Sequence, residues 1–326
     1  MDKHAKIYVA GHRGLVGSAL MRQLASQGYT NIITRTHAEL NLTEQSAVKA
    51  FFENERPEYV ILAAAKVGGI HANNTYPGEF IHENLAIQTN VIHQSYVAGV
   101  KRLLFLGSSC IYPRDCAQPI KEEYLLTGPL EHTNRPYALA KIAGIEMCWS
   151  YNRQYGTEFL AVMPTNLYGP GDNYDPDNSH VIPALIGKFY EAKKSNDKEV
   201  IVWGTGVPRR EFLYSDDMAE ACIFILNLPD EQSQLLVAAD GIDGLPPIMN
   251  IGSNHDLTIA ELARLIKNTI GYEGNILFDS NKPNGTMRKL MDSSRLNRLG
   301  WQPNVSLENG LASVCKDFIK MKNEQL

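Results

Sequence analysis

The chain is expected to fold as an α/β protein: a doubly wound parallel sheet covered by helices on both faces, with a smaller, discontinuous α/β domain attached. Three observations predict this. Between residues 6 and 170, short and continuously apolar runs alternate with helix-length segments, the pattern of strands buried on both faces and joined by crossover helices. A glycine-punctuated turn separates the first apolar run from the first helical segment. After Pro170 the alternation loosens into shorter pieces.

The elements follow in order. Ile7-Tyr8-Val9-Ala10 reads as the first strand and residues from about 15 to 27 as the first helix. Residues 31–34, 59–62, 103–106 and 159–162 read as further strands, each between segments long enough for a crossover helix. Residues 171–180, rich in Asn, Asp and Pro, read as a loop. A helix is expected over about 181–192, a charged turn over 193–198, a strand over 200–203 and a helix over 215–227. Residues 229–247 carry Pro, Gly and Asp and read as an exposed excursion. Thr258-Ile259-Ala260-Glu261 is a capping-box pattern that opens another helix. The first domain is placed at 1–170 plus about 208–245, the second at about 171–207 and 246–326.

Composition narrows the function. Hydrophobic residues make up 44% and charged residues 21%, as in a soluble globular protein. The net charge of -5 argues against a protein built mainly to neutralise nucleic-acid phosphates. No apolar run approaches the roughly 18 residues that would span a bilayer, and the opening residues carry no signal core. Cysteines 110, 116, 148, 222 and 315 form no C-x-x-C pair, so neither a disulfide framework nor a metal site is expected. The expectation is a cytoplasmic enzyme with free thiols and with no nucleic-acid or membrane partner.

Gly11-His12-Arg13-Gly14-Leu15-Val16-Gly17 lies between the first strand and the first helix. Glycines there permit a tight turn and the close approach of backbone to a pyrophosphate, which the helix amino terminus then faces. At the first βα turn of a parallel sheet this predicts a Rossmann-type dinucleotide site. NAD binders usually place an acid at the end of the second strand, whereas NADP binders use cations for the 2′-phosphate. Here the segment reads Thr34-Arg35-Thr36-His37. With Arg13 in the first turn, it favours NADP(H).

Tyr137-Ala138-Leu139-Ala140-Lys141 is a Y-x-x-x-K pattern, with both functional side chains on one helix face. A neighbouring ammonium favours phenolate, and the tyrosine can then exchange a proton with a carbonyl during hydride transfer. Alone, the pattern is common and reads as a surface helix. Here Gly107-Ser108-Ser109-Cys110 follows an apolar strand, so Ser108 stands at a strand's carboxyl end, where open α/β sheets bind ligands.

Glycine turn, strand-end serine and Y-x-x-x-K, in this order, resemble the extended short-chain dehydrogenase/reductase superfamily. Pro164-Thr165-Asn166-Leu167-Tyr168-Gly169-Pro170 is similar to its cofactor- and substrate-contacting loop. Ala63-Ala64-Ala65-Lys66-Val67-Gly68-Gly69-Ile70, Leu106-Gly107-Ser108-Ser109-Cys110-Ile111-Tyr112-Pro113 and Asn178-Ser179-His180-Val181-Ile182-Pro183 resemble one subfamily, the GDP-L-fucose synthases. The resemblance runs from about residue 5 to about residue 315. It implies 3,5-epimerisation and NADPH-dependent 4-reduction of GDP-4-keto-6-deoxy-D-mannose, on a typically dimeric protein joined through helices near 80–98 and 137–154.

The resemblance also implies roles. Cys110 and His180 would be the base and acid of epimerisation, and Tyr137, Ser108 and Lys141 the reductase set. NADP(H) would lie against Gly11, His12, Arg13, Gly14, Leu15, Val16 and Gly17, and against Arg35 and His37. It would also meet Leu106, Gly107, Ser108 and Ser109, then Lys141, then Pro164, Thr165, Asn166 and Leu167, and finally His180. His37 stands where the subfamily often carries another arginine. Lys188, Trp203, Arg210 and Asp279 match substrate-contact positions. Read without the resemblance, Cys110 is a small buried apolar residue, His180 a loop or cap residue, Trp203 a core residue and Lys188 a solvated charge. Arg288 and Lys289 are further cations that receive no role. The alternatives are a nucleotide-sugar 4-epimerase, a 4-reductase or 4,6-dehydratase, and a non-catalytic NADP-sensing protein; Ser109 and Cys110 in place of an acidic pair disfavour the dehydratase.

Overall fold

The structure is a computed structural model that describes residues 1–175, 179–238, 244, 246–282 and 284–324. Asn178, part of a motif above, lies outside the described residues. The strands are β1 (Ile7–Ala10), β2 (Ile32–Ile33), β3 (Tyr59–Leu62), β4 (Arg102–Leu106), β5 (Glu158–Pro164) and β6 (Asn166–Tyr168). They continue as β7 (Glu199–Trp203), β8 (Arg209–Tyr214), β9 (Ile248–Ile251), β10 (Asp256–Thr258), β11 (Asn275–Asp279) and β12 (Arg288–Lys289). The helices are α1 (Leu15–Ser26), α2 (Gln45–Glu55), α3 (Ile70–Thr75), α4 (Pro77–Val97), α5 (Arg135–Tyr155) and α6 (Val181–Ser195). After them come α7 (Ser215–Leu226), α8 (Asp230–Leu236), α9 (Ile259–Ile270), α10 (Ser294–Arg298) and α11 (Leu307–Glu324).

A six-stranded parallel sheet in the order β2-β1-β3-β4-β5-β9 forms the centre. Its strands are mostly apolar because both faces are covered. Tyr8 and Ala10, Val60 and Leu62, and Leu103 and Phe105 pack with α2, α4 and α5. The alternate residues Ile7 and Val9, Ile61, and Leu104 and Leu106 pack with α1 and α7. Each Val, Leu, Ile or Phe among them contributes about 1.5–3 kcal/mol on burial. The parallel α/β expectation is therefore met.

Two elements depart from the sequence reading. Ile248–Ile251 was expected in the second domain, yet β9 pairs with β5 and completes the central sheet. Residues 229–247 were expected as an excursion, but Asp230–Leu236 is helical and Leu236 and Val237 are buried in the core. That helix is too short for a 3.6-residue pattern to show. What fixes it is distant: Asp230 pairs with the buried Arg102 at 2.6 Å.

The rest of the chain builds a second layer. β8 pairs with β6, β10 and β12, and β7 pairs with β11 in parallel register. α6, α9 and α11 cover these strands through Phe189, Leu262, Ile266, Val314 and Phe318. The capping box of α9 is present, with Thr258 and Glu261 exchanging bonds. β8 and β6 thus lie in the layer that carries the second site wall, although the sequence reading put 208–245 with the first domain.

Candidate active site

β1 has β2 on one side and β3 on the other, so a crevice opens at their carboxyl ends. Gly11, at φ +86, closes that crevice: a Cβ there would sit 2.7 Å from the Ala64 backbone nitrogen. A Cβ on Gly17 would collide with the Gly11 carbonyl. Gly14 caps α1 with extended backbone and no side-chain bond, and no acid stands in the first turn. The imidazole Nδ1 of His12 is buried there without a partner. This glycine cradle and its open helix end fit a dinucleotide pyrophosphate, with Leu15 and Val16 opening the helix.

Arg13 and His37 are exposed and Arg35 is half-buried beside them. Arg35 is engaged: it pairs with Glu55 at 2.5 Å and donates to the Thr34 carbonyl at 2.8 Å. Glu39 folds back onto Thr36, accepting from its amide and hydroxyl at 2.7 and 2.8 Å. Those bonds, with Arg35 and Arg13 nearby, hold its carboxyl below the usual range. The sequence segment 34–37 lacks an acid, but the fold brings Glu39 and Glu55 to it.

The catalytic end lies where β4 finishes. Gly107 donates to the Val162 carbonyl at 2.8 Å, fixing the strand end. Ser108 then opens a single 3-10 turn that presents Ser109 and Cys110, its hydroxyl accepting from the Cys110 amide at 3.4 Å. α5 supplies Tyr137 and Lys141 from the facing side. The Lys141 ammonium donates to the Leu106 carbonyl at 2.7 Å and lies 5.7 Å from the Tyr137 ring centre. Phe80 of α4 packs edge-on to Tyr137 at 6.3 Å.

The electrostatics differ from the sequence expectation at Tyr137. Burial, followed by Cys110, pushes the phenol up, and the Ser108 hydroxyl only partly opposes this. Lys141, buried as well, is lowered to about 8. Desolvation is the largest cause of both shifts. Cys110 is also raised by burial, while Lys289, the Ser108 hydroxyl and Lys141 act in the opposite direction.

Pro164, Thr165, Asn166 and Leu167 lead from β5 into β6. Thr165 donates from its amide to the Ile251 carbonyl at 3.0 Å, and Asn166 donates to the Glu211 carbonyl at 2.8 Å. His180 is the exposed N-cap residue of α6 and makes no cap bond through its ring. Asp172, half-buried on the loop before it, is raised by burial against the Asn173 amide and His180. One oxygen of that carboxyl has no partner. Sequence reading gave Asp172 no role.

The second wall gathers residues that are distant in sequence. Trp203 and Asp279 are register partners at the ends of β7 and β11. Trp203 is 63% exposed, so the core reading of it fails: it ends a strand whose alternate residues point outward. Ammonium groups of Lys188 and Lys282 lie 5.4 and 5.1 Å from its ring centre. Lys188 also donates to the Ile201 carbonyl at 3.3 Å, and burial lowers it. Lys282 was missed by sequence reading; nothing local distinguishes it from a solvated lysine.

Arg209 and Arg210 alternate across β8 and meet different fates. Arg209 pairs with Asp256 at 2.9 Å, and Arg288 shares that carboxylate at 2.5 Å. Arg210 is half-buried, lowered by burial, and makes no ion pair among the described residues. Its register partner on β12 is Lys289, also half-buried. The half-buried pair Arg210 and Lys289, and the exposed indole of Trp203 flanked by Lys188 and Lys282, suit an anionic ligand with an aromatic base.

Comparison with known proteins agrees with this arrangement. The family model described as the NAD dependent epimerase/dehydratase family matches residues 7–252. GDP-L-fucose synthase 1 of Arabidopsis thaliana is 58% identical over 319 residues, covering 98% of this chain and 94% of that protein. The GDP-L-fucose synthase of Escherichia coli K12 is 52% identical, covering 97% of each. Among solved structures, a GDP-D-glycero-L-gluco-heptose synthase from Campylobacter jejuni, crystallised in the presence of NADPH, superposes with a TM-score of 0.91. It is 38% identical and the match covers 98% of this chain and 99% of that one.

Proposed function

The chain belongs to the GDP-L-fucose synthase branch of the NAD dependent epimerase/dehydratase family, and we propose that one site both epimerises GDP-4-keto-6-deoxy-D-mannose at C3 and C5 and reduces it at C4, giving GDP-L-fucose. The observation that carries this reading is a thiol set within the reductase group: Cys110 follows Ser108 by two residues in one turn and acts electrostatically on both Tyr137 and Lys141. Reduction alone does not need that thiol.

The 4-keto group acidifies the hydrogens on C3 and C5. Cys110, as thiolate, takes one of these protons, and the electron pair moves onto the keto oxygen to form an enolate. His180, protonated, returns a proton to the opposite face of the carbon. Inversion at both positions leaves the ketone intact, and solvent restores the two groups. NADPH, when bound, supplies the hydride that C4 accepts. Tyr137 then gives its proton to the alkoxide while Ser108 orients that oxygen. The upward shift of Tyr137 suits this direction, since the reductive step needs a protonated phenol. Lys141 would contact the nicotinamide ribose and hold Tyr137 in position.

Gly11 to Gly17 would hold the pyrophosphate, with Leu106, Gly107, Ser109 and the segment Pro164, Thr165, Asn166 and Leu167 lining the nicotinamide side. His12, Arg13, Arg35 and His37 border the adenosine end. Arg210 and Lys188 would bind the substrate diphosphate, Trp203 would stack on guanine and Asp279 would accept from it.

We also propose a homodimer formed through α4 and α5. Val97, Leu139 and Tyr155 are exposed on these helices, beside Tyr96 stacked on Tyr155 at 4.1 Å. No helix among the described residues is long and apolar enough to cross a membrane. All five cysteines are free thiols, which supports a cytoplasmic setting.

The reading is tested by supplying GDP-4-keto-6-deoxy-D-mannose and NADPH in heavy water and analysing the product by NMR. GDP-L-fucose deuterated at C3 and C5, with stoichiometric NADPH oxidation, is expected. Oxidation without deuterium would leave a 4-reductase and remove the roles of Cys110 and His180.

A further inference from the structure

We propose that Tyr112 and Asn250 are a positioning pair for this site: one buried hydrogen bond that holds Cys110 where epimerisation needs it. The inference rests on the role given to Cys110 above. Its basis is the turn after β4, whose two ends have separate anchors. Ser108, at the first end, follows a strand end that is fixed twice. Gly107 donates to the Val162 carbonyl at 2.8 Å, and Lys141 to the Leu106 carbonyl at 2.7 Å. Cys110 lies past those ties. Within the turn, the Ile111 amide donates to the Ser108 carbonyl at 3.2 Å and the Cys110 amide to the Ser108 hydroxyl at 3.4 Å, at or beyond the long end of the ordinary range. Tyr112 closes the turn with extended backbone, and its hydroxyl donates to Asn250 Oδ1 at 2.6 Å. Both residues are buried.

Asn250 gives that bond a fixed end. It lies on β9, where Met163 of β5 is its register partner. Its carboxamide is engaged at both atoms: Oδ1 accepts from Tyr112, and Nδ2 donates to the Ile120 carbonyl at 2.9 Å and the Asp292 carbonyl at 3.2 Å. Its amide donates to Glu122 Oε1 at 3.1 Å. The carboxamide cannot turn without stranding two carbonyls, which fixes where Oδ1 points. Ile111 is fully buried and seats the turn in the core, but apolar contact is non-directional. The Tyr112 hydroxyl supplies the direction. The ties at Gly107 and Lys141 do not pass through it, so loss of the bond loosens Cys110 and leaves Ser108 in place.

Tyr112→Phe removes the donor and keeps the ring; Asn250→Ala removes the acceptor. Circular dichroism checks that each variant folds. The first readout is deuterium wash-in at C3 and C5 of GDP-4-keto-6-deoxy-D-mannose in heavy water, with NADP⁺ in place of NADPH so that no reduction follows. The second is single-turnover oxidation of GDP-L-fucose by NADP⁺, followed by NADPH absorbance. There hydride leaves C4 and the hydroxyl proton passes to Tyr137 before any exchange, so Cys110 takes no part. Tyr112→Phe is expected to slow wash-in about tenfold, in kcat rather than KM, and to keep hydride transfer within about threefold of the parent. Asn250→Ala is expected to show the same separation. Unchanged wash-in in Tyr112→Phe would overturn the proposal. So would an equal fall in both rates, which would make the bond a support of the whole site. Cys110→Ser separates the two layers. If it still exchanges, the role given to Cys110 fails irrespective of Tyr112; if it loses exchange while Tyr112→Phe keeps it, only the positioning pair fails.

Discussion

Arg102, on the central sheet, and Arg210, on β8 of the second layer, show two ways to place a cation in a fold. Arg102, on the central sheet, is 8% exposed and fully answered. It bonds Glu158 at 2.8 Å, Asp230 at 2.6 Å, and the carbonyls of Leu226 and Leu228. Arg210 is half-buried on β8 and, among the described residues, has no carboxylate against it; its side chain donates to the Arg209 carbonyl at 2.8 Å. Desolvation of a charge costs stability unless partners offset it. A cation whose partners are all present serves the fold. One left without a carboxylate, with Lys289 opposite it across the strand pair, suits an incoming anion.

The sharpest way to break this contrast is to remove each cation. Arg102→Met strands Glu158 and the two carbonyls, and is expected to lower stability by about 3 kcal/mol while leaving substrate KM unchanged. Denaturant titration and steady-state kinetics check both halves. Loss of KM in this variant would deny that Arg102 is purely structural.

A second effect, of about the same size, concerns Glu211, which neighbours Arg210 but faces no cation. Its carboxyl is fully buried and accepts from Met291, Asn254 and Ser253. Burial outweighs those bonds and raises it to about 7 from the ordinary 4.5. The folded state therefore holds a proton that the unfolded state has released between these values, so stability falls as pH rises through that window. The expected fall is about 3 kcal/mol, read by denaturant titration across pH. Glu211→Gln is expected to flatten that slope.

Arg210→Met should do the reverse of Arg102→Met. Substrate KM is expected to rise about 30-fold, from loss of a charge-assisted bond of about 2 kcal/mol. Stability should stay within about 1 kcal/mol of the parent. Trp203→Ala, which removes only stacking on an exposed ring, is expected to raise KM about fivefold. If Trp203→Ala cost more than Arg210→Met, the anion would not be the dominant anchor.

The same contrast explains what was legible in the sequence. The cradle of Gly11 and Gly17, Ser108 at a strand end and Tyr137 with Lys141 are local patterns, legible from their spacing and their order along the chain. Arg210 beside Lys289, and Trp203 beside Asp279, are pairings of strands far apart in the chain. No local pattern records register, so Lys289 and Lys282 could not be told from solvated lysines. The Y-x-x-x-K spacing found Tyr137 but not its electrostatics, because desolvation depends on what the fold packs around it. β9 was misplaced for a similar reason: Ile248–Ile251 is a short apolar run that either layer could have accepted.

The central claim is that one site performs two separable reactions on one ketone. The most direct test is Tyr137→Phe supplied with GDP-4-keto-6-deoxy-D-mannose and NADPH in heavy water. The account predicts that NADPH oxidation falls by about 10² to 10⁴, while deuterium still enters C3 and C5 of the recovered ketone through Cys110 and His180. Loss of exchange and oxidation together, with NADPH still bound, would contradict it.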